Sequence, residues 1–221
     1  MNITKNIKLF KAKLPDRVKL VAVSKTKPNK AIIEAYNAGH KTFGENRVAE
    51  LIEKSNSLPK DIEWHMIGHL QSKKTKSIAP FIDYIHSVDS IKLLNTINKE
   101  AKKHNRSINI LLQVHIAQET NKFGFSEDEI LSLLNSTEYN SLENINLKGL
   151  MGMATFTTNT DQIRSEFKKL KDIFNTIKNK LNPLAFTEIS MGMSGDYSIA
   201  IDEGSTMVRI GSHIFGSRNK N

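Results

Sequence analysis

One lysine stands where an amine could carry out chemistry. Lys25 follows the apolar run of residues 20–24 and comes shortly before Pro28. An amine at the carboxyl end of a strand can condense with the carbonyl carbon of a ligand, so Lys25 is a candidate for a carbonyl-capturing lysine. The chain has 32 lysine and arginine residues, and most of them are expected on the surface. The position of Lys25 is therefore what singles it out.

Two segments that combine glycine with serine are candidates for binding a phosphate group. Residues 190–196 follow the predicted seventh strand and residues 211–216 follow the eighth. Glycine lets backbone N–H groups approach an anion, a helix start adds partial positive charge, and a serine hydroxyl adds a donor. Either segment alone could be an ordinary helix cap or turn. One segment follows the seventh strand and the other follows the eighth, which is where barrels of this kind commonly bind phosphate. Together they therefore favour a phosphate-binding site.

A charged residue, Arg209, interrupts the apolar eighth strand. A buried and unpaired arginine is costly, so Arg209 needs a partner. That partner could be a ligand, or a salt bridge to Asp196, Asp202 or Glu203. A carbonyl-capturing lysine, a phosphate-binding cup and a fixed cation together indicate pyridoxal 5′-phosphate (PLP).

Other motifs in the sequence do not carry the chemistry that they resemble. His65 and His69 are four residues apart, but they lie in a predicted strand, where this spacing does not bring two imidazoles to one metal ion. Residues 68–75 lack the second glycine of a phosphate-binding loop, and residues 192–196 have their second glycine too early for a nucleophile elbow. No metal site is predicted.

Strand-like runs alternate with helical segments along the chain. The predicted strands are residues 19–23, 42–43, 64–67, 84–88, 109–115, 147–151, 186–189 and 207–210. The predicted helices are residues 29–38, 48–55, 73–79, 91–104, 127–134, 161–181 and 197–201. Strands separated by helices pair in parallel, and eight such units close into a (β/α)8 barrel. The alternative is an open doubly wound sheet, but its glycine-rich turn after the first strand is missing. We expect one α/β domain over residues 1–221, with an N-terminal helix within residues 1–17.

The composition narrows the classes of protein that fit. Cysteine is absent, which excludes disulfides and a cysteine nucleophile and fits a reducing compartment, so we expect a cytoplasmic protein. We expect no secretory signal and no membrane span. The formal net charge of +9 could indicate a nucleic acid partner, but the basic residues are scattered over nearly all predicted helices. Specific nucleic acid binding is therefore not expected.

Several longer segments resemble one known family. They are residues 21–28, 43–47, 63–72, 148–151, 191–196 and 204–211, and the resemblance covers residues 18–218. These segments are similar to the pyridoxal phosphate homeostasis proteins of the YggS/PROSC type. The resemblance implies a monomeric TIM barrel like the N-terminal domain of alanine racemase, which is PLP fold type III. It implies PLP as the cofactor.

The resemblance also implies the roles of particular residues. Lys25 would form the Schiff base with PLP, Asn46 would lie beside the ring, and Arg209 would face the pyridine nitrogen. The phosphate would be held by Ser194, Gly211 and Ser212. Ser212 stands where the family more often has threonine, and it keeps the hydroxyl. Lys73 stands where the family usually has asparagine, with an effect that the sequence does not assign.

The function implied is PLP binding in intracellular PLP homeostasis without significant turnover. An arginine opposite the pyridine nitrogen disfavours its protonation, which weakens the ring as an electron sink. Related racemases take a second base from a partner subunit, and none of the four tyrosines of this chain lies in a motif that assigns it this role. The alternative is a PLP-dependent racemase or lyase of fold type III. PLP-dependent apo-enzymes are candidate partners.

Overall fold

The structure is a computed structural model that describes residues 2–118, 123–181 and 185–216. Eight parallel strands pair in their order along the chain, and the eighth pairs with the first to close a barrel. The strands are β1 (Lys19–Val23), β2 (Thr42–Glu45), β3 (Glu63–Met66), β4 (Tyr84–Val88), β5 (Ile108–Gln113), β6 (Ile145–Met151), β7 (Glu188–Met193) and β8 (Met207–Ile210). The predicted (β/α)8 barrel is confirmed, and the open doubly wound sheet is wrong.

Helices connect successive strands. They are α1 (Ile3–Lys13), α2 (Asn29–Asn37), α3 (Val48–Ser57), α4 (Thr75–Ile78), α5 (Ile91–Lys103), α6 (Glu127–Leu134), α7 (Thr137–Asn140), α8 (Thr160–Leu181), α9 (Tyr197–Asp202) and α10 (Ser212–Phe215). The helix predicted for residues 73–79 is instead a 3₁₀ turn, Ser72–Lys74, that continues into α4. The short α7 was not predicted. Ser136 caps its N-terminus, because the Ser136 hydroxyl accepts from the backbone N–H of Tyr139.

Apolar side chains at helical spacing pack the helices onto the outside of the barrel. On α8, Phe167 and Leu170 are fully buried, and Ile163 and Phe174 are buried beside them. These residues recur every three or four positions, which places them on one face of the helix. Each such side chain stabilises the fold by roughly 1.5–3 kcal/mol relative to exposure.

The interior of the barrel is unusually polar. Most barrels of this class fill it with branched apolar side chains. Here the hydroxyl of Tyr84 on β4 donates to Glu188 on β7 at 2.9 Å, and His86 on β4 bonds to Ser190 on β7 at 3.0 Å. Since two strands separate β4 from β7 in the sheet, these bonds must cross the interior.

Strand β7 is longer than predicted. The expected strand was residues 186–189 with a loop at 190–196, but β7 continues to Met193, so residues 190–193 belong to the strand. The pairing with β8 shifts register between Ser190 and Met193, which marks a bulge. Gly192 lies in this bulge with φ +96°, and a Cβ there would lie 2.6 Å from the Cβ of Ala200 on α9. Gly192, one of the glycines that indicated a loop, is thus a residue that the bulge requires.

Among the described residues, no helix is both long enough and apolar enough to cross a lipid bilayer.

Candidate functional site

A cavity of about 420 Å³ opens at the carboxyl ends of the strands. Ligand sites in barrels of this class lie at this end, and the volume is in the range of small-molecule sites. The six residues expected to bind PLP all line this cavity, and they are Lys25, Asn46, Ser194, Arg209, Gly211 and Ser212. They come from the ends of β1, β2, β7 and β8. The barrel therefore brings together residues that lie up to 187 positions apart in the sequence.

Lys25 lies in a tight turn directly after β1 and is half-buried. The turn is closed by the N–H of Lys27, which donates to the carbonyl of Ser24 at 3.0 Å. Thr26 has φ +62°, a left-handed conformation that is unfavourable for a β-branched side chain. Such strain costs on the order of 1–3 kcal/mol and persists where the surrounding structure holds the backbone in place.

Asn46 contributes a buried acceptor that no other described group satisfies. It follows Glu45, the last residue of β2, and its Oδ1 atom is buried without a hydrogen-bond partner. An unsatisfied buried oxygen is costly, and Asn46 is one of the residues that line the cavity, which makes its side chain a candidate to bind a polar group of a ligand.

The two glycine and serine segments meet at one side of the cavity. The backbone N–H of Gly211 donates to Ser194 Oγ at 3.3 Å, which joins the loops after β7 and β8. Asp196 closes the first loop, because its carboxylate accepts from the N–H of Met193 at 2.5 Å. Burial raises the pKa of Asp196, while the Met193 N–H and the charge of Arg209 oppose that rise. The helices α9 and α10 have six and four residues, so hydroxyl and N–H groups, more than helix dipoles, would bind an anion here.

Arg209 is a buried cation at the base of the cavity, with 4% of its surface exposed. Its guanidinium donates to the carbonyl of Ser190 at 2.8 Å, to Ser190 Oγ at 2.6 Å and to the carbonyl of Gly152 at 3.1 Å. These are three of its five N–H donors, so within the described residues two donors are left for a ligand. Burial lowers the pKa of Arg209 to about 10, and the Asp196 carboxylate opposes this. Arg209 therefore stays protonated at neutral pH.

The salt bridges considered as alternatives for Arg209 are not formed. Asp202 and Glu203 bind Arg164 on α8 instead, at 3.5 Å and 2.5 Å. Asp196 acts on Arg209 through its charge, without a contact of ion-pair distance among the described residues. The partners of Arg209 are a hydroxyl and two carbonyls, which leaves its positive charge available to the cavity.

A chain of hydrogen bonds leads from Arg209 through the barrel interior. Ser190 Oγ, which accepts from Arg209, lies 3.0 Å from His86 Nδ1. His86 Nε2 lies 2.8 Å from His65 Nδ1, and His65 Nε2 lies 3.2 Å from Glu63 Oε1. Both imidazoles are fully buried. These hydrogen bonds connect the cavity to the opposite end of the barrel.

The ends of this chain decide which imidazole nitrogens carry protons. The Glu63 carboxylate can only accept, so His65 donates from Nε2 and accepts at Nδ1. His86 then donates from Nε2 and accepts the Ser190 hydroxyl at Nδ1, which leaves the serine lone pairs for Arg209. Burial lowers the pKa of both histidines, so both rings are neutral.

The carboxylate at the far end is held in its ionised form. Burial alone would raise the pKa of Glu63, but hydrogen bonds from His65 and Lys19 lower it to about 2. Lys19 Nζ lies 2.5 Å from Glu63 Oε1. The chain of hydrogen bonds therefore begins at the Arg209 cation and ends at the ion pair of Glu63 and Lys19.

Several residues that line the cavity were not predicted from the sequence to bind PLP. Thr26, Lys27 and Asp196 also line the cavity, with Met153 and Phe156 from the loop after β6. Phe156 is 99% exposed. Asp196 and Lys27 belonged to recognised segments, whereas no motif indicated the loop after β6. His65 was considered as a metal ligand, but it bonds to His86 and Glu63 while His69 bonds to Asp89.

The barrel and its cavity define a class of protein. The family model described as "Alanine racemase, N-terminal domain" matches residues 1–219. An alanine racemase of Clostridium difficile superposes with a TM-score of 0.80 over 100% of this chain and 60% of its own chain. Its sequence identity is 18%, so this likeness shows the fold alone.

Relatives of similar length are more alike in sequence. A Haemophilus influenzae protein named "Pyridoxal phosphate homeostasis protein" is 38% identical over an alignment of 232 positions that covers 99% of this chain and 97% of that protein. PipY of Synechococcus elongatus PCC7942 has been solved without PLP, with a TM-score of 0.90 and 35% identity, and with PLP bound, with 0.89 and 34%. Each covers 97% of this chain and 100% of PipY. The chain belongs to the family of pyridoxal phosphate homeostasis proteins, as its sequence segments predicted.

Proposed function

We propose that this chain binds PLP in the cavity, holds it covalently on Lys25, and serves intracellular PLP homeostasis without significant turnover. The observation that carries the proposal is the convergence of six residues from four strand ends on one cavity. Two findings on relatives support it. PipY has been solved with PLP bound, and the Haemophilus influenzae relative is named as a PLP homeostasis protein.

The residues of the cavity fit the chemical groups of PLP. When bound, PLP supplies an aldehyde that an amine can capture and a pyridine ring that can withdraw electrons. Lys25 provides the amine. The Ser194 hydroxyl accepts from the Gly211 N–H and keeps its own proton to donate to an anion, and the side chain of Asn46 lines the cavity.

Arg209 explains why binding would not lead to fast turnover. Two of its N–H donors are left for a ligand, and a guanidinium cannot accept a hydrogen bond. A ring nitrogen bonded to Arg209 must therefore keep its lone pair and remain unprotonated. The positive charge of Arg209 also opposes protonation there. Both effects weaken the assistance that carbanion chemistry requires.

No tyrosine among the described residues lines the cavity as a second acid or base. Tyr36 donates to Asp61 on the surface, and Tyr84 donates to Glu188 inside the barrel. Tyr197 packs against Phe10 of α1. Besides Lys25 and Arg209, the ionisable side chains of the cavity are Lys27, which donates to the carbonyl of Gly216, and Asp196, one oxygen of which accepts from the N–H of Met193.

The decisive experiment for PLP binding is a visible spectrum of the purified protein, followed by borohydride reduction and peptide mapping. We expect a visible band that borohydride removes and a reduced adduct on the peptide that contains Lys25. Lys25→Ala should abolish the adduct, whereas Lys30→Ala, an exposed lysine on the neighbouring α2, should retain it. A reducible adduct that persists in Lys25→Ala would overturn the attachment site.

Turnover is tested separately, with the PLP-loaded protein. We expect incubation with a panel of L-amino acids in deuterated water to give slow or no exchange at Cα. Rapid exchange with matched racemisation would establish the racemase alternative instead.

We also propose a monomer in the cytoplasm that passes PLP to PLP-dependent apo-enzymes and has no specific nucleic acid partner. The absence of cysteine fits a reducing compartment. Surface lysines such as Lys41 and Lys168 pair with nearby carboxylates, which is unlike a continuous basic surface. Light scattering of the protein as it elutes from a size-exclusion column measures the oligomeric state. Strongly salt-dependent binding to DNA or RNA would contradict the proposal that the protein has no specific nucleic acid partner.

A further inference from the structure

A buried lysine on α3 contacts the turn that carries Lys25. Lys54 is 5% exposed, and its ammonium lies 2.9 Å from the carbonyl oxygen of Ser24. It also donates to Glu45 Oε1 at 2.7 Å and to Glu50 Oε2 at 3.2 Å. These bonds use all three N–H donors of the ammonium group. Because an ammonium is costly to bury unless it is paired, the partners of Lys54 must hold it in place.

The same cluster holds the backbone on both sides of Lys25. Lys54 binds the carbonyl of the peptide group that precedes Lys25. Glu50 Oε2 accepts from the N–H of Thr26, in the peptide group that follows Lys25, at 2.6 Å. The hydroxyl of Ser24 donates to Glu45 Oε1 at 2.6 Å. The two peptide groups that set the direction of the Lys25 side chain are thus both bonded to side chains of α3.

The backbone conformation of Thr26 is one that surrounding hydrogen bonds must stabilise. Thr26 adopts φ +62°, which a threonine does not favour in an isolated turn. The hydrogen bond from its N–H to Glu50 retains this conformation, and Lys54 in turn binds Glu50. Burial alone would raise the pKa of Glu50, but the Thr26 N–H and Lys54 outweigh it and lower that pKa. Glu50 is therefore an ionised acceptor at neutral pH.

We propose that Lys54, acting with Glu45 and Glu50, is a positioning residue that directs the amine of Lys25 at the PLP aldehyde, where a C=N bond would replace the C=O bond with release of water. This inference rests on the proposed function. The glycine and serine segments proposed to hold the phosphate follow β7 and β8, whereas the amine of Lys25 comes from the turn after β1, so different segments hold the two groups. The amine must then be aimed at the bound aldehyde, and a small misplacement of a reacting group slows a reaction greatly.

A purely structural role would give a different result. If Lys54 only stabilised the packing of α3 against β1, its loss would lower the affinity for every ligand of the cavity equally or would destabilise the fold. A positioning role affects the ligand that reacts with Lys25 and spares one that cannot react. Pyridoxamine 5′-phosphate has the same ring and phosphate but no aldehyde, so it separates the two roles.

The test compares Lys54→Met with the wild-type full chain. We expect the rate of borohydride-trappable attachment of PLP to fall by about tenfold to a hundredfold. The affinity for pyridoxamine 5′-phosphate, measured by fluorescence titration, should be unchanged. The matched control is Lys60→Met, because Lys60 is also a lysine bonded to main-chain carbonyls of α3, those of Ser55 and Asn56, at the end of α3. It should behave as wild type in both measurements.

Two variants of Glu50 decide the question even if Lys54→Met does not fold, because Glu50 is less deeply buried. Glu50→Ala removes the acceptor for Thr26 and should slow attachment, whereas Glu50→Gln keeps a carbonyl oxygen and should restore much of the rate. Unchanged attachment in the folded variants, or an equal loss for PLP and pyridoxamine 5′-phosphate, would overturn the inference. A wild-type protein that binds neither ligand would instead overturn the proposed function.

Discussion

The imidazole rings of His65 and His86 share a hydrogen bond of 2.8 Å inside the barrel. This bond joins the hydrogen bonds at the cavity end of the barrel interior to those at the opposite end. His86 continues to Ser190 and the cavity, and His65 continues to Glu63. Each ring uses one nitrogen as donor and the other as acceptor, so the direction of the whole chain follows from the carboxylate at its end. Arg209 therefore binds a hydroxyl whose own proton already points away from it.

Ser190→Ala should interrupt this chain. It leaves an N–H of Arg209 and the Nδ1 of His86 without partners, which should lower the free energy of unfolding by about 1–3 kcal/mol. Urea denaturation measures this. In the wild type, long-range nitrogen–proton correlation spectra should show both histidines protonated on Nε2, and the Nδ1 signal of His86 should shift in the variant. The matched control Ser87→Ala, which removes a bond to the carbonyl of Gly68, should leave that signal in place. A proton on Nδ1 of either ring in the wild type would contradict the assigned direction.

His40 should make the stability depend on pH. Burial lowers its pKa to about 4, opposed by its hydrogen bond to the carbonyl of Thr42. Between that pH and about 6.5 the unfolded chain binds a proton that the folded chain does not, so stability falls as the pH is lowered. The loss attributable to His40 is about 3 kcal/mol over this window. Urea denaturation at a series of pH values should show a smaller loss for His40→Gln, which keeps an N–H donor. The exposed His104→Gln should follow the wild type, and parallel curves for wild type and His40→Gln would disprove the assignment.

Asn46→Ala should separate binding from folding. Its buried Oδ1 has no partner among the described residues, so its removal should leave the free energy of unfolding nearly unchanged. The affinity for PLP should fall, because a ligand in the cavity would lose an acceptor. Fluorescence titration with PLP and urea denaturation measure the two quantities. Asn56→Ala, an exposed asparagine on α3, should change neither. Unchanged affinity in Asn46→Ala would remove this residue from the site.

Gly192→Ala should destabilise the bulge in β7. The residue has φ +96°, and a Cβ would lie 2.6 Å from the Cβ of Ala200 and 3.0 Å from the Cα of Tyr197. Backbone strain and overpacking together should lower the free energy of unfolding by about 1–3 kcal/mol or more. In the control Gly195→Ala the added Cβ meets no heavy atom within 4 Å, so its thermal midpoint should change little. Equal midpoints for the two variants would show that the bulge tolerates a side chain.

The local pattern of the sequence was sufficient to predict the strands and the end of the barrel that holds the site. Strand alternation and the positions of Lys25, Arg209 and the two glycine and serine segments depend on neighbours in the chain, so they can be recognised without a structure. All six predicted residues line one cavity. Their individual roles toward PLP, and the assignment of residues 1–221 to one domain, stay predictions.

Other features were decided by the closed barrel alone. His86 and Ser190 are 104 positions apart, and Lys54 meets Ser24 across 30 positions. No spacing rule relates such residues, because their contact depends on the register of the strands and on which helix face meets the sheet. The loop expected at residues 190–193 is a bulged strand for the same reason, since its pairing with β8 is set by barrel closure. The sequence by itself was sufficient to predict that Lys25, Arg209 and the glycine and serine segments reach the mouth of the barrel, because their strands can be recognised locally. The tertiary structure decided which buried groups hold Arg209 and Lys25 there, because only long-range packing brings a buried charge to its partners.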